Sequence, residues 1–204
     1  GENKTYKNYN NKMSIIKYIS KLLNRIKLIG KWRHLYHIRK AKKIIKILRT
    51  IALTPHYEGK IINYLRKINP YVFEEMILTV IEESNIRVFR NTAYSGDGGI
   101  DGIFKIKQGK VLIQCKRYGK YINAKDVHAL STKVREDKYF MGIFAHTGKT
   151  GDKAKNIGMN EKNVIFLSGS NLVNIIVGKE DIKKYLFNKI TYYEKQLQRN
   201  NNVR

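Results

Sequence analysis

Two alternating, apolar segments separated by a pair of turn residues constrain this chain most. Residues 100–107 and 110–117 flank Gln108-Gly109, the pattern of an antiparallel hairpin. Side chains on a strand point to alternate faces. In the second segment Val111, Ile113 and Cys115 therefore share one face, and Leu112, Gln114 and Lys116 share the other. In the first, Asp101, Ile103 and Lys105 share a face. Antiparallel pairing returns the end of the second strand to the start of the first. A carboxylate (Asp101), an amide oxygen (Gln114) and an ammonium (Lys116) are thus expected at one end of the hairpin.

The surroundings predict an α/β fold, a mixed sheet flanked by helices. A short strand at 86–90 and a loop at 91–99 precede the hairpin. After it come a helix at 124–137, an apolar strand at 139–147 closed by Gly148, a helix at 150–160 and a strand at 163–167. Helices at 171–177 and 181–198 end the pattern. Before the hairpin, Asn69-Pro70 predicts the cap and first turn of a helix, on which Phe73, Met76, Ile77, Val80 and Ile81 form one apolar stripe. At about 100° per residue that stripe centres near Phe73. Glu74 then lies roughly 90° away, on the flank that looks along the sheet toward the hairpin end. Glu75 points nearly opposite the stripe and reads as a solvent-facing charge.

The first third of the chain differs in composition. The sequence holds 41 Lys+Arg and 16 Asp+Glu among 204 residues, a formal charge of +25. Residues 1–69 carry 18 of the basic residues and only two acids, Glu2 and Glu58. Such a charge predicts a polyanionic partner, nucleic acid or an acidic membrane surface. Ile15, Ile16, Ile19, Leu22, Leu23, Ile26 and Ile29 recur at helical spacing with lysines and arginines between them. We expect residues 1–12 to fray, a first helix to end at Gly30, a second to run over 32–51, and a third to start at Thr54-Pro55 and reach 68. The division expected is a basic, all-helical region at 1–68, contacting DNA, and an α/β domain at 69–204. A membrane-lying or organelle-targeting role for the first helix is the alternative. The single cysteine, Cys115, excludes an internal disulfide framework and a Cys-rich zinc module. No apolar run approaches the ~18 residues of a membrane span.

The hairpin set suits phosphodiester hydrolysis. Mg²⁺ takes oxygen ligands and keeps several waters. It polarises a phosphoryl oxygen and acidifies bound water, while a nearby ammonium offsets developing charge. Asp101 and Gln114 supply oxygens, the Cys115 carbonyl offers another, Glu74 a second carboxylate, and Lys116 the cation. Each has a plainer reading: a strand-start cap for Asp101, a solvated strand face for Gln114 and Lys116, a helix-dipole acid for Glu74. Asp97 reads either as a turn former in the Gly-rich loop or as a further ligand. Thr147 and Lys149 read as phosphate contacts or a plain loop, and Tyr118 and Tyr121 as base-stacking or packing residues. His128 and His146 lack metal-ligand spacing and read as surface or packing residues.

The runs Asn69-Pro70-Tyr71-Val72-Phe73-Glu74, Ser95-Gly96-Asp97-Gly98-Gly99-Ile100-Asp101 and Ile113-Gln114-Cys115-Lys116-Arg117-Tyr118, followed by Gly142-Ile143-Phe144-Ala145-His146-Thr147-Gly148, resemble the Mrr-type nuclease domain. That domain belongs to the PD-(D/E)xK superfamily of restriction-endonuclease-like folds. The resemblance covers roughly 69–177. It implies a Mg²⁺-dependent DNA endonuclease (Mn²⁺ as the alternative ion), of restriction type or from phage or mobile-element defence. It also implies water attack leaving 5′-phosphate ends, a homodimer for double-strand cleavage, and a cytoplasmic setting in a bacterial or phage-infected cell. Asp101 is carried over as metal ligand, Gln114 at the usual Glu position, Lys116 as catalytic lysine and Glu74 as an additional acid. Gln at that position departs from the superfamily pattern but is frequent in the Mrr-like branch. The rival readings are a non-catalytic nucleic-acid binder of the same fold, a nuclease toxin domain and a junction resolvase.

Overall fold

The computed structural model describes residues 2–91 and 99–201, with side chains at 2–15, 26, 159 and 196–201 excepted. Asp97 therefore lies outside the described residues. The chain packs as two units, 1–37 and 38–204.

The first unit is helical, part of α1 (Glu2–Ile51). Two expectations fail here. The helix begins within the stretch expected to fray, and Gly30 does not end it. A helical glycine costs only about 1 kcal/mol relative to alanine, and no proline follows to stop the ladder. Nothing lies within 4 Å of where a Gly30 Cβ would stand, so no packing demand selects glycine either.

The second unit opens with the last turns of α1. Ala41, Ile44, Ile45 and Leu48 form a buried stripe that joins Ile61 and Leu65 of α2 (Tyr57–Leu65) in one apolar core. Thr54-Pro55 does not start α2. The Thr54 hydroxyl instead donates to the Ile51 carbonyl at 2.8 Å and closes α1. His56, at φ 55°, takes the cap position without a side-chain bond.

Helix α3 (Pro70–Glu83) begins as the sequence predicts. Asn69 Oδ1 accepts from the Tyr71 N–H at 2.9 Å and the Val72 N–H at 3.4 Å, and Pro70 fills the first turn. Its burial is wider than one stripe. Leu78 and Thr79 are buried along with Phe73, Met76, Ile77, Val80 and Ile81, and so is Glu75.

The sheet has five strands in sequential order: β1 (Val88–Arg90), β2 (Gly102–Ile106), β3 (Gly109–Lys116), β4 (Met141–His146) and β5 (Val164–Leu167). β1, β2 and β3 pair antiparallel; β3, β4 and β5 pair parallel. The hairpin register sets Gly102 opposite Ile113 and Ile106 opposite Gly109. Helices α4 (Ala124–Glu136) and α5 (Asp152–Glu161) supply the parallel crossovers, and α6 (Gly169–Val177) and α7 (Ile182–Asn201) follow.

Alternation on β3 divides the interior in two. Val111, Ile113 and Cys115 join the core built by α3, α6, α7 and the end of α1. Leu112 joins Val127, Leu130 and Val134 of α4 and Phe144 of β4. All six residues of β4 are buried, as expected of a strand covered on both faces. A fully buried side chain such as Phe144 contributes on the order of 2–3 kcal/mol of hydrophobic stabilisation. The parallel register of β3 and β4 sets their last residues, Lys116 and His146, side by side at one end of the strands.

Candidate active site

The site grows from one backbone feature. The Asp101 N–H donates to the Ile113 carbonyl at 2.9 Å, extending the β2–β3 ladder one step past Gly102. The Asp101 side chain then turns along the edge of β3, and its Oδ2 accepts from the Cys115 N–H at 2.6 Å. A backbone donor that would otherwise be orphaned at the strand end is satisfied by a carboxylate, which is thereby held in one orientation.

Gln114 and Lys116 lie on the face predicted for them. Gln114 is buried. Its amide nitrogen lies against Gly99, which has φ 79°; a Cβ there would collide with it. Gly99 is thus required twice, by its left-handed backbone and by the space it leaves for Gln114. Lys116 is half-exposed. Its charge reaches Asp101 and favours the ionised carboxylate.

Glu74, on α3, is half-buried and approaches closely enough for the Asp101 charge to act on it. Burial comes first among the causes that raise the Glu74 carboxyl to about 8, followed by the charges of Asp101 and Glu75. Burial also lifts Asp101, to about 7, against the opposing pull of the Cys115 N–H and Lys116. The Cys115 thiol is pushed well up by burial and by the same carboxylates, so it is a core thiol and no nucleophile.

Glu75 corrects the sequence expectation. It is 3% exposed and does not face solvent. The Arg90 Nε donates to Glu75 Oε2 at 2.8 Å, while both Arg90 terminal nitrogens engage Glu82. α3 is covered on nearly every side, so its second glutamate is buried too and requires a cation. Arg90, at the end of β1, supplies it and ties the strand to the helix.

Sequence reasoning missed Asp126. In the first turn of α4, its Oδ1 lies 3.1 Å from Lys116 Nζ and its Oδ2 accepts from the Tyr118 hydroxyl. The cap residue Asn123 accepts from the Lys125 N–H at 3.0 Å and fixes that turn. An acid two positions after such a helix start reads as a dipole partner, and only the fold brings it to Lys116.

The remaining candidates separate. Thr147 is buried, and its hydroxyl binds both the N–H and the carbonyl of Tyr118, each at 2.9 Å; it is a clasp for the loop after β3. Its own carbonyl accepts from Arg66 Nε at 3.0 Å. Lys149 and Tyr121 are exposed beside each other. His146 is fully buried between Phe144 and Phe166, and burial lowers its imidazole to about 4, so it is a neutral packing residue. His128 is on the surface.

Among the described residues no three His, Cys, Asp or Glu side chains converge as a metal cage. The donor set at the hairpin end is two carboxylates and an amide. That suits Mg²⁺, which keeps several waters and takes phosphate oxygens as ligands.

A carboxylate at the sheet end thus lies across from an amide and near a lysine on the neighbouring strand. Residues 65–176 match the family model of the Mrr catalytic domain, described as a restriction endonuclease, and the chain belongs to this family. It is similar to the type IV methyl-directed restriction enzyme EcoKMrr of Escherichia coli (strain K12), with 23% identity over 128 residues, covering 59% of this chain and 42% of that enzyme. The chain therefore spans less than half the length of this relative. Among solved structures it is similar to the DNA modification-dependent restriction endonuclease AspBHI (17% identity, TM-score 0.43, 66% of this chain and 40% of that one). It is also similar to the MspJI restriction endonuclease in complex with a 27-mer oligonucleotide (14%, TM-score 0.37, 67% and 31%). Likeness at this level carries no weight beyond the family match.

Raised carboxyl groups set a pH dependence. Between the ordinary value of 4.5 and about 8 the folded protein holds a proton on Glu74 that the unfolded chain releases. The stability this group confers is complete below that window and is lost as pH rises through it. Glu74→Gln should therefore melt with wild type at pH 4 and several degrees above it near pH 8, in EDTA, by differential scanning calorimetry. An equal melting temperature at both pH values would contradict the placement of Glu74.

Proposed function

We propose that this chain is a metal-dependent endodeoxyribonuclease that hydrolyses DNA phosphodiester bonds. The observation that carries this reading is the Asp101 carboxylate, clasped by the Cys115 N–H, with Glu74 close to it and Lys116 acting on it. Asp101, Glu74 and the Gln114 amide would hold Mg²⁺, with Mn²⁺ as a substitute. The Cys115 carbonyl joins them, because N–H and C=O of one extended residue project to the same edge. When bound, the ion polarises the phosphoryl oxygen and makes water a better nucleophile.

The chain's own groups do the rest. Lys116 positions the attacking water and offsets charge developing on phosphate. Asp126 holds the Lys116 ammonium and the Tyr118 hydroxyl in place. The Cys115 N–H keeps Asp101 oriented. Basic residues of the helical region, above all Arg66 at the end of α2, give phosphate contacts and steep salt dependence; Arg66 is already anchored to the Thr147 carbonyl, and its own carbonyl accepts from Arg117 Nη1 at 2.5 Å. Two copies acting together would cut both strands. The methyl-directed action named for the Escherichia coli relative makes modified DNA the first special substrate to try.

Supercoiled plasmid should be nicked and linearised by the protein in Mg²⁺ or Mn²⁺ and left intact in EDTA. Asp101→Ala and Lys116→Ala should lose at least about a hundredfold in rate while still shifting DNA in a gel with Ca²⁺. Silence of the wild type on plain, methylated and branched DNA alike, or cleavage retained in either variant, overturns the assignment. Asp126→Asn should lower the single-turnover rate about tenfold with little change in half-saturating DNA, and Asp126→Glu should recover part of it. An unchanged rate in Asp126→Asn would remove Asp126 from the site.

A further inference from the structure

The first unit carries a surface that the nuclease reading does not use. Ile16, Ile19, Leu22, Leu23 and Ile29 are between 46% and 58% exposed on α1. At about 100° per residue they fall in a single band roughly 140° wide. Tyr18 and Tyr36 stand at one border of that band and Trp32 just beyond it, 71%, 58% and 61% exposed respectively. Lys17, Lys21, Arg25 and Lys31 lie across the opposite arc with Leu28, 55% exposed, among them; Lys27 stands at the other border, and Arg33 falls within the band near its C-terminal end. The sequence contains no carboxylate between Glu2 and Glu58.

Three occupants could cover such a face, and charge decides among them. A DNA backbone would use the lysines but leave the isoleucines and leucines in water. A second copy of this helix would bury the apolar band but gather cations on both sides without one acid to pair them. An anionic lipid surface satisfies both halves at once. The apolar band enters the acyl boundary, the lysine stems reach back to lipid phosphates, and the Trp and Tyr rings take the interface. Among the described residues no helix is long and apolar enough to cross a membrane, so the helix would lie in the plane of the bilayer.

We propose that residues 16–36 form an amphipathic arm that docks this chain on an anionic lipid bilayer. None of the residues of the arm belongs to the catalytic proposal.

The test uses the full chain and vesicles of phosphatidylglycerol and phosphatidylcholine in equal parts, beside phosphatidylcholine alone. Trp32 is the chain's only tryptophan and reports directly. Its emission should move to the blue on the anionic vesicles and stay in place on the neutral ones. A triple variant, Ile19→Ser, Leu22→Ser and Leu23→Ser, should bind anionic vesicles at least about tenfold more weakly while keeping wild-type DNA affinity and plasmid cleavage. Circular dichroism checks that the variant keeps its helix; should it lose helix, Leu22→Ala and Leu23→Ala take its place. Absence of vesicle binding overturns the proposal, as does equal binding by the variant, which would mean charge alone. A variant that falls from dimer to monomer in sedimentation assigns the face to a second copy. One that loses DNA affinity assigns it to nucleic acid. Either result overturns the lipid arm.

Discussion

One hydrogen bond organises the catalytic proposal: the Cys115 N–H to the Asp101 carboxylate at 2.6 Å. It exists because the hairpin ladder stops at Asp101, one step past Gly102, and leaves the Cys115 N–H beyond the last backbone pair. Asp101 still pairs its own N–H with Ile113, but its side chain continues where backbone would otherwise run. The strand end is thereby closed by an anion rather than by another peptide. Charge is deposited at the edge of the sheet, next to the face from which Gln114 and Lys116 project. A carboxylate aligned by a main-chain donor has its direction set by the strand that supplies the donor.

That arrangement has an electrostatic cost that the rest of the fold manages unevenly. Three acids feel one another's charge here, Glu74 and Asp101 in half-buried positions and Glu75 buried. Glu75 is neutralised by Arg90, which also engages Glu82. Lys116 acts on Asp101 while leaning on Asp126. Glu74 is left raised by burial and repulsion. The contrast separates an acid paired with a fixed cation from one raised by burial and its acidic neighbours. Where a fixed cation is built in, the charge supports packing; where carboxylates face each other, a divalent ion is the natural counter-charge.

How much of this was readable depended on sequence distance. The hairpin brings Asp101, Gln114 and Lys116 together within sixteen residues, and alternation alone assigns their faces. Asn69-Pro70 likewise announces α3 through local capping. Glu74 needed a helix-face argument, which placed it correctly relative to Phe73 but failed for Glu75, because α3 is covered from more sides than one stripe records. Asp126 was invisible: its first-turn position has an adequate local explanation, and its meeting with Lys116 depends on how α4 lies across the sheet. Gly30 shows the reverse error, a local breaker signal too weak to interrupt a long run of helix-forming residues.

The most direct measurement is anomalous diffraction from crystals soaked in Mn²⁺. The account predicts a single strong peak at the hairpin end, about 2.1–2.2 Å from an Asp101 carboxylate oxygen and within ligand reach of Glu74 and Gln114, and absent from crystals of Asp101→Asn. A strong peak elsewhere with none at Asp101, or none at any concentration that supports cleavage, would contradict it.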